Sequence, residues 1–160
     1  MKKRKICVVI NNRANYARIK SVLVEIKKYK KLDLQIVLGS SAILQRYGEV
    51  SEIIKRDGFK INHTVYTLLE GENLLTMSKS TGISIMEFSS IFSELKPDIV
   101  VVIADRYETL AAAVAASYMN IVLVHTQGGE VTGSIDESVR HATTKLAHIH
   151  FPASLKSKKN

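Results

Sequence analysis

The sequence of 160 residues contains one cysteine, two prolines, no tryptophan and no apolar run long enough to cross a membrane. Because Cys7 is the only cysteine, no internal disulfide can form, and we expect a cytoplasmic protein. Because no apolar run is long enough to cross a membrane, we expect no membrane partner. The apolar run at residues 6–10 follows a basic stretch but is too short for the core of a signal peptide. The remaining composition, 46% hydrophobic and 24% charged, fits one globular domain over residues 1–160.

Several ligand-binding motifs are absent as well. No Gly-x-Gly-x-x-Gly follows the first apolar segment, which argues against a dinucleotide cofactor, and neither a P-loop nor a nucleophile elbow is found. His148 and His150 are close in sequence, but no third ligand is placed near them, so structural roles are favoured over a metal site.

The formal net charge of +8 suggests nucleic-acid binding as one alternative. Three short stretches, residues 2–5, 27–31 and 156–159, contain 11 of the 23 basic residues, so 12 basic residues face 15 acidic ones elsewhere. The body of the domain is therefore slightly acidic, and we expect no nucleic-acid partner.

Apolar strand patterns alternate with helical patterns along the whole chain. The predicted strands cover residues 5–11, 32–39, 61–68, 99–104, 121–125 and 149–151. The predicted helices cover residues 16–29, 50–56, 74–95, 107–119 and 134–147, the last beginning with a capping box between Ser134 and Glu137. Continuous apolar strands in this alternation predict an α/β fold, a doubly wound parallel sheet with the strand order 3-2-1-4-5-6.

Polar side chains and glycines cluster after three of the predicted strands. They lie in residues 11–16 after the first strand, 105–108 after the fourth and 125–130 after the fifth, and the last loop runs into the predicted helix that contains Asp136, Arg140 and His141. Strands one and four flank the point where the strand order reverses, which is where ligands bind in such sheets. We therefore predict one ligand crevice at the carboxyl ends of these strands.

Within this crevice, Arg13 and Arg106 each sit at a predicted helix start, where a cation opposes the helix dipole. A phosphate bound between the two helix ends favours both arginines, and solvation or pairing with a nearby acid is the alternative. Asp105 ends an apolar strand, so it is a candidate acid/base residue, with a helix N-cap as a compatible alternative. Gly128 and Gly129 permit close approach of a ligand or simply form a turn.

At these residues the chain resembles the hydrolysing UDP-N-acetylglucosamine 2-epimerases of sialic-acid and related nonulosonic-acid synthesis. The resemblance rests on short matches at residues 12–16, 38–40, 47–48, 96–98 and 105–108, and on a long, specific run over residues 128–142 that continues through 144–148. It implies a GT-B architecture, in which two Rossmann-like domains hold the nucleotide sugar between them, with no metal or redox cofactor.

The resemblance also implies roles for individual residues. Acid/base roles near the sugar fall to Asp105 and Asp136, and contacts with the diphosphate fall to Arg13 and Arg106. Glu130 is a further candidate catalytic residue, and the further candidate contacts with the UDP-sugar are His125, Gln127, Gly128 and Gly129. His125 has a satisfied strand-end histidine as its alternative. We expect a homo-oligomer for the full-length enzyme.

The chain departs from the family pattern in two ways. Many relatives carry a catalytic glutamate where this chain has Gln127, and an amide cannot transfer a proton as a carboxylate can. Either Glu130 or another acid replaces it, or the branch acts on a different sugar, such as a diacetamido sugar. The second GT-B domain is absent from these 160 residues, so the alternative function is a non-catalytic domain that binds ligand weakly or pairs with a separate chain.

Overall fold

The computed structural model describes residues 2–71 and 73–160. Its centre is a six-stranded parallel sheet with the order β3-β2-β1-β4-β5-β6. The strands are β1 (Arg4–Ile10), β2 (Leu32–Gly39), β3 (His63–Val65), β4 (Ile99–Ile103), β5 (Val122–Thr126) and β6 (Ile149–Phe151). The predicted doubly wound sheet and its strand order are confirmed.

Strand β1 explains why helices cover both faces of the sheet at its centre. Ile6, Val8 and Ile10 join one hydrophobic cluster, whereas Cys7 and Val9 join the other. Successive side chains of a strand point to opposite faces, so an unbroken apolar run requires cover on both. Burial raises the pKa of the Cys7 thiol to about 12, in keeping with its expected packing role.

The helices agree with the predicted pattern more closely in the middle of the chain than at its ends. They are α1 (Arg13–Lys28), α2 (Val50–Arg56), α3 (Leu74–Leu95), α4 (Tyr107–Tyr118), α5 (Ile135–Leu146) and α6 (Leu155–Lys159). Helix α3 has its predicted bounds in spite of Gly82, because a capping box between Asn73 and Thr76 fixes its start. None of the helices within the described ranges combines the length and apolarity needed to span a bilayer.

Helix α4 is built to lie close to its neighbours. Its buried side chains are mostly methyl groups, those of Ala111, Ala112, Ala113, Ala115 and Ala116. Small side chains let the helix approach both the sheet and α3. The first turn of α4 is thereby held at the carboxyl end of β4, inside the predicted crevice.

Three local features differ from the sequence expectations. Strand β3 is shorter than the predicted residues 61–68. Before its start, the backbone N–H of Asn62 donates to the carbonyl of Ile36, and the side-chain Oδ1 of Asn62 accepts from the N–H of Ile36. Two 3₁₀ turns, Ser40–Ile43 and Gln45–Tyr47, and helix α6 were not predicted. Turns this short have no hydrophobic period from which to predict them.

Candidate functional site

The ends of β1 and β4 open the candidate crevice. Val8 of β1 pairs in parallel with Val101 of β4, so the segments after these strands leave the sheet at the same edge. Strand β5 pairs with the other side of β4 and ends at this edge too. The topology therefore brings the loops after β1, β4 and β5 to one edge, where the sequence placed the candidate residues.

Backbone strain is concentrated at this edge. Ser40, Ala104 and Gln127 directly follow β2, β4 and β5, and their φ angles are 51°, 62° and 64°. Residues other than glycine rarely adopt this left-handed backbone conformation, and such strain commonly occurs at ligand sites. Three of the six strands thus end in the same unfavourable conformation, a feature with no sequence signal because none of the three residues is glycine.

A buried ion pair links the end of β4 to α5. Arg140 is 1% exposed, and its Nε donates to Oδ2 of Asp105 at 3.0 Å while its Nη2 contacts the same oxygen. Its Nη1 donates to the carbonyl of Glu130. Since both donors use one oxygen, Oδ1 of Asp105 has no hydrogen-bond partner within the described ranges. The N-cap of α4 is Arg106, so the alternative that Asp105 caps this helix is wrong.

Arg106 stands half-exposed at the start of α4. Its Nε donates to Oε2 of Glu108 at 3.3 Å, and its guanidinium lies 5.6 Å from the centre of the Tyr107 ring. In the described part of the chain its two Nη nitrogens have no partner. Burial lowers the pKa of Arg106, but nearby Glu108 and, more weakly, Tyr107 and Asp136 outweigh it, so the net pKa is raised. A positively charged fork with free donors therefore faces the crevice near Asp136.

Glu108 is a buried carboxylate that accepts a hydrogen bond from Arg106. It is 1% exposed, and its Oε1 accepts from the hydroxyl of Ser40 while its Oε2 accepts from Arg106. A carboxylate this deeply buried requires such partners. Glu108 thereby connects the loop after β2 with the loop after β4, and it fixes the direction of the Arg106 side chain.

Arg13 is the first residue of α1 and is exposed. Asn12 caps this helix by accepting from the N–H of Asn15 at 2.8 Å. Among the residues that the structure describes, the Arg13 guanidinium forms no hydrogen bond or ion pair, so it is not the partner of a nearby acid. A helix N-terminus with an unpaired cation and no acidic residue in its first turn is suited to an anion.

The start of α5 differs from the prediction. Ser134 is the N-cap but its side chain makes no capping hydrogen bond, so the predicted capping box is wrong. Glu137 instead accepts from the N–H groups of Thr132 and Gly133 at 2.7 and 2.6 Å, which lowers its pKa. These hydrogen bonds to Glu137 hold the loop before α5 in place. Asp136 is half-buried and takes no part in them.

His125 lies at the end of β5 with no exposed surface. Its Nε2 donates to the carbonyl of Ala104 at 2.7 Å, so Nδ1 is the acceptor, and the Thr144 hydroxyl donates a hydrogen bond to Nδ1 at 3.0 Å. Burial lowers the pKa of the imidazole, in spite of the Ala104 contact. Both nitrogens are used inside the protein, which fits the satisfied strand-end histidine better than a direct ligand contact.

The segment after β5 is also held by the protein. Oε1 of Gln127 accepts from Nη1 of Arg18 at 3.2 Å. A Cβ added to Gly128 would stand 2.8 Å from the Thr144 hydroxyl, and one added to Gly129, whose φ is 83°, would collide with the Ser157 carbonyl. Packing therefore requires both glycines. Their contacts with a ligand, and the acid/base role of the exposed Glu130 side chain, stay predictions.

Arg140 and Glu108 were not assigned roles from the sequence, although both are buried and hold the candidate residues in place. Charged side chains are almost never fully buried without a partner, but the partner lies far away along the chain. Both residues do fall within the runs that carried the family resemblance, residues 105–108 and 128–142. Those runs were the available signal.

Comparisons with known proteins agree with one another. A family profile described as UDP-N-acetylglucosamine 2-epimerase matches residues 24–160. A GDP/UDP-N,N'-diacetylbacillosamine 2-epimerase (hydrolyzing) from Campylobacter jejuni is 39% identical, over 94% of this chain and 39% of the relative. A UDP-N,N'-diacetylbacillosamine 2-epimerase (hydrolyzing) from Legionella pneumophila is 38% identical, over 97% of this chain and 41% of the relative.

Solved structures match over nearly the whole chain. The UDP-GlcNAc 2-epimerase from Neisseria meningitidis bound to UDP-GlcNAc superimposes with a TM-score of 0.84 at 21% identity, over 98% of this chain and 42% of that one. At this identity the likeness concerns the fold. The chain spans about two fifths of the length of the relatives that it matches.

Proposed function

The chain belongs to the UDP-N-acetylglucosamine 2-epimerase family and has the Rossmann-like fold of the N-terminal half of a GT-B architecture, and from this premise we propose that it is the N-terminal domain of a hydrolysing nucleotide-sugar 2-epimerase. Its substrate is a UDP-linked 2-acetamido sugar. The whole enzyme uses water to release UDP and the C2 epimer of the sugar.

The reaction has two steps. In the first, a base removes the proton at C2 while the bond between C1 and the diphosphate oxygen breaks, so that UDP leaves and a 2-acetamidoglycal with a C1–C2 double bond forms. In the second step, the oxygen of water adds to C1, and a proton is delivered to C2 on the face opposite to the one from which the first proton was removed. UDP-N-acetylglucosamine and water thus give UDP and N-acetylmannosamine.

The observation that carries the proposal is the pair of neighbouring groups at the carboxyl end of β4. Asp105 is held by the buried Arg140 with one carboxylate oxygen unpartnered, and Arg106 beside it has two unpartnered Nη nitrogens. An arginine fork suits a diphosphate, and a fixed carboxylate suits proton transfer. In the proposal Arg106 and Arg13 bind the diphosphate, and Asp105 and Asp136 exchange protons with the sugar.

Gln127 is proposed as a binding residue. Its amide can donate and accept hydrogen bonds but cannot shuttle a proton. It follows β5 with a left-handed backbone, and Arg18 orients its side-chain oxygen. The amide nitrogen is then left to contact a sugar hydroxyl or acetamido group. Two relatives named for diacetylbacillosamine, at 39% and 38% identity, favour a diacetamido sugar over N-acetylglucosamine.

We expect the isolated chain to bind UDP weakly, near millimolar or about −4 kcal/mol, and not to turn over substrate. One half of a GT-B cleft covers one side of a ligand, and the loss of positioning can remove roughly 7–11 kcal/mol of catalysis. The test joins residues 1–160 to the C-terminal part of the Campylobacter jejuni relative and assays released UDP and free sugar. Activity of the chimera that is lost in Asp105→Asn, while circular dichroism shows that this variant stays folded, supports the proposal.

Three outcomes contradict it. A folded chimera without activity on either UDP-sugar removes the proposed reaction. Turnover by the isolated chain near one per second, within the usual enzyme range of about 1–1000 per second, contradicts the proposal that a second domain is needed for catalysis. Equal rates of the parent and Gln127→Glu chimeras on both sugars show that position 127 selects nothing.

A further inference from the structure

A cavity beside Arg106 is lined mostly by residues that the proposed reaction does not use. It encloses about 490 Å³ between the loop after β3, the start of α3 and the start of α4, a size that suits a small ligand. Its lining combines the exposed guanidinium of Arg106 with apolar and short polar side chains: Leu69, Asn73, Leu74, Thr76, Met77, Ser80 and Tyr107.

The short polar groups of this wall are already used by the protein. Asn73 and Thr76 satisfy each other in the capping box of α3, and the Ser80 hydroxyl accepts from the N–H of Leu69 at 3.0 Å. A ligand in the cavity therefore meets an apolar wall and, at one end, the free Nη donors of Arg106. This wall offers little to a sugar hydroxyl, because burying a hydroxyl without a partner is unfavourable.

The apolar wall continues toward Asp136. A second cavity of about 160 Å³ shares Leu74, Met77 and Tyr107 with the first and is also lined by Asp136. Leu74 borders both cavities and is 79% exposed, so its side chain is accessible to a ligand. One continuous apolar surface thus lies between a cation suited to a diphosphate and a carboxylate proposed to act on the sugar attached to it.

We propose that the surface formed by Leu69, Leu74 and Met77 binds the methyl-bearing edge of the sugar and selects a 2,4-diacetamido-2,4,6-trideoxy sugar over N-acetylglucosamine. This inference rests on the proposed function, because it takes the diphosphate to be at Arg106. The selected sugar carries a methyl group at C5 and an acetamido methyl at C4. N-acetylglucosamine carries a hydroxymethyl group at C5 and a hydroxyl group at C4, and these hydroxyls lose water against leucine and methionine without gaining a partner.

The experiment measures binding to the full 160-residue chain by NMR titration. The probes are UDP, UDP-N-acetylglucosamine and UDP-N,N'-diacetylbacillosamine. We expect the diacetamido sugar to bind about tenfold more tightly than UDP-N-acetylglucosamine, the lower end of what a hydrophobic pocket achieves per methylene-sized difference. Leu74→Gln and Met77→Gln should bring this ratio close to one and leave the affinity for UDP unchanged.

The matched control is Leu75→Gln. Leu75 is the next residue of α3 and 63% exposed, but it borders neither cavity, so its substitution should leave the ratio at the parent value. Leu74 is exposed, so the fold does not depend on it, and circular dichroism verifies this for each variant.

The outcomes separate the two proposals. If UDP binds and the parent ratio is close to one, the sugar surface is refuted and the proposed function stands. The same holds if Leu75→Gln lowers the ratio as much as Leu74→Gln does. If none of the three probes binds at about 10 mM, ten times the expected dissociation constant, the proposed UDP site fails and this inference fails with it.

Discussion

Removing Asp105 from its ion pair with Arg140 should lower the free energy of unfolding more than removing Arg140 does. The Arg140 side chain is 2% exposed and the Asp105 side chain is 24% exposed. Asp105→Ala leaves a buried guanidinium with the Glu130 carbonyl as its remaining acceptor. Removal of one partner of a buried pair costs about 3–5 kcal/mol, and because that carbonyl remains we expect about 3 kcal/mol for this variant.

The opposite substitution should be milder. Arg140→Met keeps the apolar volume of the side chain, and the carboxylate that it leaves unpaired can take up water at its exposed side, so we expect about 1–2 kcal/mol. The double variant should be more stable than Asp105→Ala alone, because no buried charge remains without a partner.

The assay is urea unfolding followed by circular dichroism, with equal m-values required for comparison. For a domain of this size, a loss of about 3 kcal/mol corresponds to a fall of about 6–12 °C in Tm. The reasoning is refuted if Asp105→Ala stays within about 1 kcal/mol of the parent, or if Arg140→Met is the more harmful variant, since the order of the two follows directly from their burial.

Three further predictions concern other elements. Gly82→Ala should stabilise the domain by about 1 kcal/mol, because the glycine is helical with open space around it, whereas Gly129→Ala should destabilise it by at least about 2 kcal/mol; equal urea midpoints would contradict both. Since the pKa of His125 is lowered in the folded state, its stability contribution is complete above about pH 6.5 and is lost as pH falls below that value, by up to about 1.4 kcal/mol per pH unit. His125→Asn should remove this part of the pH dependence, and an unchanged slope would show that the ring titrates alike in both states. Glu108→Gln should weaken UDP binding about fivefold, or roughly 1 kcal/mol, by freeing Arg106, and it should not change the affinity for uridine, which has no phosphate.

The sequence by itself determined the architecture and the place of the crevice. Strand and helix periods are local properties, so the apolar run at residues 99–104 and the helix at 74–95 could be predicted from neighbouring residues. The alternation of these elements then predicted a doubly wound sheet, for which the strand order 3-2-1-4-5-6 with right-handed crossovers is the default. The start of α1 was predicted less well, because the helical pattern began at Tyr16 and the helix begins at Arg13.

The tertiary structure decided which side chains hold one another. Arg140 and Asp105 are 35 residues apart, and Ser40 and Glu108 are 68 residues apart, so no local period relates them. The distance between Arg140 and Asp105 explains why a helix cap was an alternative for Asp105. The capping box at Ser134 failed for a local reason, because Glu137 accepts from the N–H groups of Thr132 and Gly133 instead. Local sequence patterns indicate which face of a helix or strand is apolar. A buried charge such as Arg140 is stable only if a partner distant in sequence lies beside it in the fold, and the packing of the whole sheet decides whether it does.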